Sequence, residues 1–347
     1  MFTNTTNTFT CISNGRMFWF DKPFHSLDYD CKTHFGEKIY KIALDAGMTC
    51  PNRDGVLGTR GCIFCSEGGS GDFASDGKSF SHTPSITQQL LEGKTYFHNK
   101  NVGKLFIAYF QSFTNTYAPV ERLEKLYTEA LLEPTIIGIS IATRPDCIPN
   151  EVLPLLSKLQ KQFPNKFIWI ELGLQTIHPT TANFIRRGYP LSVFEDTVKR
   201  LQSIQIPIIV HVILGLPGEN KSMMLDTCQY LNTLNINGIK LQLLHVLRNT
   251  DLATVFEKKT FEILSFEEYI DIVISCLEIL SPSITIHRVT GDGPKELLIA
   301  PQWSTNKRNV LNSLLQEMKR RHTWQGKFYQ KPHSPCNAIL HSDASTY

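Results

Sequence analysis

Short apolar runs rich in β-formers alternate with longer segments of helical period along most of this chain, and no other feature constrains the fold as much. The runs fall at 38–44, 104–110, 136–142, 167–174, 208–214, 239–244 and 284–289, and nearly all are apolar on both faces. A strand with one wet face alternates apolar with polar residues, whereas a parallel strand covered by helices has no wet face. Between the runs, at 86–98, 120–132, 149–163, 179–186, 192–204, 221–234 and 266–280, apolar residues recur at spacings of three and four, as in Leu123, Leu126, Ala130 and Leu131. The strand–helix order repeats about six times, which predicts an α/β fold built as an open or closed parallel β/α barrel. No GxGxxG follows the first strand, so a dinucleotide-binding sheet ranks lower, and a barrel places its chemistry at the C-terminal ends of its strands.

At 347 residues with 41% hydrophobic content, the chain can bury a large core as one domain with an appendage. No run of about 18 apolar residues could span a bilayer, and the N-terminus lacks the charged-then-apolar pattern of a secretory signal. The compartment is thus read as reducing, cytoplasmic or, in a eukaryote, an organellar matrix or stroma. There, nine cysteines argue for metal ligands or redox groups over a disulfide framework. Residues 1–23, opening "MFTNTTNTFT", and 332–347 carry no periodicity and are expected as flexible tails.

Three of the nine cysteines crowd into one stretch, "CPNRDGVLGTRGCIFCSEGGSGDF", directly after the first strand. Cys62 and Cys65 form a C-x2-C pair whose sulfurs can reach one metal, and Cys50 precedes them in a C-x11-C-x2-C pattern. A structural zinc site normally takes four protein ligands, and the nearest further candidate, His82, lies outside the segment. A thioredoxin-type redox pair would not call for Cys50 or for the glycine-rich run. Three cysteines suit a four-iron cluster, leaving one iron open to a substrate or cofactor; zinc and free thiols stand as the other readings.

The loop resembles that of the radical S-adenosylmethionine (SAM) superfamily, although the usual spacing there is C-x3-C-x2-C. The longer first gap is similar to the Elongator catalytic subunit family. "TRPD" (143–146), "ELGLQT" (171–176), "RRG" (186–188) and "ILGLPGE" (213–219) resemble both that family and the oxygen-independent coproporphyrinogen oxidases. With "ALDAGMTCPNRDG", "CSEGGSGDF", "TGDGPKELLIAPQW" and "TWQGK", the pattern resembles the YhcC/YtqA-type subgroup over about 24–327. The resemblance implies a partial (β/α)6-type radical SAM barrel over 24–283 and a C-terminal basic α/β extension over 284–331. It also implies a [4Fe–4S] cluster on Cys50, Cys62 and Cys65, SAM on its open iron, and an electron donor such as flavodoxin or ferredoxin.

Further residues take roles from the same resemblance. Phe64, before the last cysteine, matches an aromatic near the adenine of SAM, and Gly68 and Gly69 open a flexible run that a cofactor can approach closely. Gln175 and Arg187 match positions that touch the ribose and carboxylate of SAM; taken alone they read as a strand-end amide and a helix-surface arginine. Glu171, in an apolar strand, needs a partner or a pocket. His211 stands where the porphyrinogen enzymes carry an acid, and a lone strand histidine is more often a satisfied core residue. Ala142 stands where the Elongator-like pattern has Glu. Cys147 could donate hydrogen to a radical, its plain reading being a buried thiol.

The segment 288–331 holds nine Lys/Arg and three Asp/Glu, a local +6 against +3 for the whole chain. Its helical stretch sets Val310, Leu311, Leu314, Leu315 and Met318 inward and ends in Lys319, Arg320 and Arg321, with Trp303, Trp324 and Phe328 nearby. Basic residues at a helix C-terminus are ordinary dipole partners. Interleaved with aromatics they also suit RNA phosphates and bases, so the three cations are candidate RNA contacts. Elongator-like relatives work on the wobble uridine of tRNA, and the YtqA-type subgroup resembles enzymes of 5-aminomethyl-type uridine modification. A tRNA-modifying radical enzyme is the first expectation. Radical chemistry on a small metabolite or peptide, and a non-catalytic zinc-stapled RNA binder, are the alternatives.

Overall fold

The computed structural model describes residues 10–12, 16–69, 85–97, 103–291 and 293–331. Seven parallel strands form one curled sheet in sequence order: Tyr40–Leu44 (β1), Phe106–Phe110 (β2), Ile136–Thr143 (β3), Phe167–Gln175 (β4), Ile208–Leu214 (β5), Gly238–Leu243 (β6) and Thr285–Arg288 (β7). This is the expected partial barrel with one more strand than six repeats would give. β7 opens the segment expected as an extension, yet it pairs with β6 at Ile286↔Ile239 and so belongs to the sheet. The edge of β7 is covered by Ser26, which bridges to Ile286 and caps helix α1 (Leu27–Phe35).

Both faces of the sheet are buried, for two different reasons. Outward residues such as Ile42, Leu44, Phe110, Ile141, Ile170, Val212 and Leu241 meet the apolar stripes of α2 (Ile86–Thr95), α3 (Val120–Leu132), α4 (Val152–Gln162), α6 (Leu191–Ser203), α7 (Lys221–Leu231) and α9 (Phe266–Ile279). α5 (Pro179–Phe184) and α8 (Asp251–Glu257) are short and lie near the cysteine loop. Inward residues at the N-terminal end, Ile107, Phe167, Trp169 and Ile209, pack with Cys31, Leu27 and Phe35 of α1, which plugs that end. The other end stays open to chemistry.

One expectation about the termini changes. Arg16–Phe18 pairs antiparallel with Thr10–Ile12, and Trp19 is 1% exposed and stacked on His25 at 5.7 Å, so the expected tail 1–23 is packed from about residue 16. An indole buried against a ring is ordered by the apolar area it removes from water. The expected C-terminal tail 332–347 lies outside the described residues, as do residues 70–73 of the glycine-rich run. The final helix, α10 (Lys307–Arg320), lays Val310, Leu314 and Met318 into the core as its periodicity requires.

Candidate active site

The long gap between Cys50 and Cys62 folds back on itself. Arg53 N donates to Cys50 O at 2.7 Å, Leu57 N to Pro51 O at 2.8 Å, and Gly61 N to Asn52 O at 2.7 Å, so successive turns return the chain to its start. Arg53 then reaches across to the C-x2-C turn, its Nη2 donating to the carbonyls of Cys65, at 2.9 Å, and Ser66. Gly61 sits at φ 71° under that guanidinium, where a Cβ would come within 2.9 Å of Arg53 Nε. Asn52 Nδ2 donates to Arg186 O at 2.7 Å and faces Cys62 Sγ at 3.5 Å, which seats the loop on the turn after α5. Gly69, at φ 64°, lies so close to Phe113 that a Cβ would meet its ring at 2.9 Å.

Cys50, Cys62 and Cys65 line one cavity of about 220 Å³ above the C-terminal ends of the strands. Phe64, Gly69, Glu171, Gln175, Arg187 and His211 line it too, so most of the residues expected at the site come together there. An adjoining cavity of about 160 Å³ shares Phe64, Cys65, Gly69 and Ile213 and continues to Leu244 and His245. Gln175 adopts φ 68° at a register shift in β4, and its amide lies where a Cβ on Gly173 would come within 2.8 Å. Its Oε1 is buried without a hydrogen-bond partner, an acceptor that a ligand hydroxyl would satisfy. Ala142 lies in the wall, and Glu171 supplies the one carboxylate among the described lining residues.

The cavity floor is a charged network that the sequence did not reveal as a unit. Glu171 Oε1 accepts from Lys41 Nζ and Ser140 Oγ, each at 2.6 Å; Oε2 accepts from Lys240 Nζ and from His211 Nε2, the latter at 2.6 Å. Lys240 also donates to Tyr109 Oη at 3.0 Å. Burial acts to raise the Glu171 carboxyl, but Lys240, Lys41 and His211 outweigh it and hold it well below the usual carboxylate range. Burial and the Lys240 charge push His211 down to about 4, so the imidazole is neutral and donates its Nε2–H to Glu171. With both oxygens engaged, Glu171 fixes the floor, and His211 is its satisfied partner. One signal in the sequence could have found this: Lys41 and Lys240 are single lysines inside apolar strands, as Glu171 is a single acid, and buried opposite charges need each other.

Other expected residues are placed differently. Arg187 is buried with Nη1 donating to the carbonyls of Leu174, at 3.1 Å, and Thr176, at 2.6 Å, and Nε to that of Tyr189 at 3.1 Å. It thus ties the end of β4 to the following turn and keeps only Nη2 for a ligand. Gly68 does not line the cavity, and neither does Cys147. The Cys147 thiol lies buried 3.8 Å from Asp146 Oδ1, and burial pushes it up to about 12, so its expected role as a hydrogen donor has no contact with the cavity. At the end of α10, Arg320 and Arg321 both grip Glu317, and Arg321 also pairs with Asp271 at 2.6 Å; Lys319 is exposed.

The donor set fits an iron–sulfur cluster. Among the described residues no three His, Cys, Asp or Glu side chains meet closely enough to hold a single metal ion. Three thiols spread around one cavity suit a cluster in which each takes a different iron. Burial, and the neighbouring Cys65, push the Cys62 thiol up to about 12, a cost that coordination removes by deprotonating it outright.

Comparison with known proteins agrees with this geometry. The Radical SAM superfamily matches residues 56–231 and the Radical SAM C-terminal domain matches residues 236–320. The chain belongs to the radical SAM superfamily. It is 42% identical over 311 residues to the uncharacterized protein YtqA of Bacillus subtilis, covering 90% of this chain and 94% of that one. It is 32% identical to protein YhcC of Escherichia coli, over 80% of this chain and 86% of that one. The fold also matches the archaeal Methanocaldococcus infernus Elp3 with a TM-score of 0.61 at 14% identity, covering 83% of this chain and 64% of that one. This radical SAM chain is therefore an enzyme of the [4Fe–4S]- and SAM-dependent kind, and among its described residues no helix is long and apolar enough to cross a membrane.

Proposed function

We propose that Cys50, Cys62 and Cys65 hold the cluster, that SAM lies across the two adjoining cavities, and that the substrate is a tRNA uridine. The cavity lined by the three cysteines and by Gln175, whose Oε1 is orphaned among the described residues, carries the first part of this reading. Cys50, Cys62 and Cys65 would hold the cluster, which together with SAM would supply one-electron cleavage of the S–C5′ bond and so hydrogen-abstraction chemistry at the substrate. Gln175 Oε1 accepts a ribose hydroxyl, and Phe64 and Ile213 flank the adenine from the shared wall. The Glu171 network keeps the floor rigid and the plugged N-terminal end keeps bulk water out. The electron comes from a small one-electron carrier such as flavodoxin or ferredoxin.

Two observations support tRNA. The chain is 23% identical over 52% of its length to a protein named tRNA uridine(34) acetyltransferase from Methanocaldococcus jannaschii, spanning 32% of that protein. Lys319 and Arg320 are exposed at the end of α10, and a few residues further along the chain Phe328 is 57% exposed with Lys327 over its ring at 5.3 Å. Pairing of Arg320 and Arg321 with acids favours a second reading, radical chemistry on a small molecule. Mass spectrometry of wobble nucleosides from cells lacking the protein decides between them. A lost or truncated uridine modification is expected, and an unchanged profile with no tRNA binding in vitro overturns the tRNA reading. The zinc-stapled alternative predicts colourless, zinc-loaded protein after anaerobic purification, where the cluster reading predicts brown protein with about four irons per chain.

A further inference from the structure

Arg144 follows β3 in the "TRPD" stretch, and nothing derived so far uses it. It is 8% exposed and lines the cavity with the three cysteines. Asp146 holds its guanidinium in a fork, Nε to Oδ1 at 2.9 Å and Nη2 to Oδ2 at 2.7 Å, and the Tyr189 ring lies beneath it at 5.0 Å. Gly188 leaves room for this group beside Asn52. A Cβ there would meet Asn52 Oδ1 at 2.8 Å and Arg144 Nη2 at 3.1 Å, so the guanidinium shares a wall with the amide that faces Cys62 Sγ. Asp146 lines a separate outer groove with Asn150, Asp196 and Arg200. The ion pair is thus a dipole with its positive end toward the cysteines and its negative end away from them.

We propose that Arg144 is a positioning cation for the cluster, raising the reduction potential of the group bound by Cys50, Cys62 and Cys65. The inference rests on those three residues holding a cluster. Uptake of one electron adds one negative charge without making or breaking a bond, and a cation fixed in a water-poor wall favours the reduced form. Three other arginines line the cavity: Arg53 holds the carbonyls of Cys65 and Ser66, Arg187 those of Leu174, Thr176 and Tyr189, and Arg288 stands at the end of β7, where it lines the adjoining cavity as well. Removing Arg53 or Arg187 dismantles the loop or the turn. Arg144 is held by the side chains of Asp146, Cys147 and Tyr189 and grips none of the backbone carbonyls that Arg53 and Arg187 hold, so its charge can be removed with the loop intact.

The test is a redox titration of the anaerobically reconstituted protein, followed by visible absorbance and electron paramagnetic resonance and needing no turnover. Arg144→Met should lower the reduced-to-oxidised ratio about tenfold at a given ambient potential, a shift of about 59 mV downward for a one-electron couple. Asp146→Asn removes the opposing charge and should move the potential upward. Arg144→Lys, which keeps the charge, should stay near the wild type. An iron-loaded Arg144→Met protein with an unchanged potential overturns the proposal, and so does a shift of Arg144→Met and Asp146→Asn in the same direction. If Arg144→Met takes up no iron, Asp146→Asn decides: an upward shift supports the role and any other result overturns it. Wild-type protein that takes up no iron would instead overturn the cluster reading, and this inference with it.

Discussion

At the scale of residues, the site separates side chains that meet a ligand from those that hold the cavity. Cys62→Ala should abolish iron uptake, since two thiolates hold a cluster poorly, whereas Cys147→Ala should keep full iron because its thiol does not line the cavity; iron per chain measures both. Gln175→Ala should weaken SAM binding with iron content unchanged, read by calorimetry, because its buried Oε1 has no hydrogen-bond partner among the described residues. Glu171→Gln acts differently. It strands Lys41 and Lys240 beside a neutral amide, and breaking a buried ion pair costs about 3–5 kcal/mol, visible in urea denaturation. His211 makes a prediction about pH. Its folded value of about 4 lies below the unfolded value of roughly 6.5, so its contribution is present above pH 6.5 and is lost as pH falls toward 4. The loss is on the order of 3 kcal/mol, and His211→Gln should flatten that limb of the stability curve.

At the scale of elements, α10 does two jobs that its sequence merges into one basic cluster. Arg321 bridges Glu317 on its own helix and Asp271 on α9, so it fastens the helix to the barrel, while Lys319 and Arg320 face solvent. The sequence could not separate these, because the acid that claims Arg321 lies fifty residues away in the chain. Lys319→Ala with Arg320→Ala should lower tRNA affinity and reduce the salt dependence of binding by about one per lost phosphate contact, while leaving SAM cleavage without substrate unchanged. Arg321→Ala should instead lower stability. Filter binding over a salt series and thermal denaturation separate the two. An unchanged salt slope in the double variant would remove this element from the RNA surface.

At the scale of the whole molecule, the two ends of the described chain are buttoned together at the open edge of the sheet. Gln325, fully buried, accepts from His25 N at 2.8 Å and donates to the carbonyls of Ser281, at 2.7 Å, and Ile284, at 2.9 Å. This gives the "TWQGK" stretch a physical role: it locks β7 and the segment before α1 to the C-terminal residues. Gln325→Ala takes this partner from the His25 N–H and the Ile284 carbonyl, while the Ser281 carbonyl keeps the Ile284 N–H, and a loss of about 2–4 kcal/mol is expected, with earlier hydrogen exchange at β7 than at β4.

By itself the sequence determined the class of fold and marked Cys50, Cys62 and Cys65 as candidate cluster ligands, because both are written locally. Apolarity on both faces of a run of six to eight residues requires cover on both sides, and the spacing of Cys50, Cys62 and Cys65 limits what they can ligate. Phe64 and Gly69 were legible for the same reason, lying within the loop they serve. What surrounds the cluster was decided by tertiary structure alone. Lys41, Glu171 and Lys240 stand on the first, fourth and sixth strands, and only the curl of the sheet brings their side chains to one point inside it. Arg187 gained backbone partners at the cavity wall, and Arg144 gained a place in the same wall as the cysteines, because a guanidinium's partners are set by which carbonyls and carboxylates the folded chain brings within about 3 Å of it.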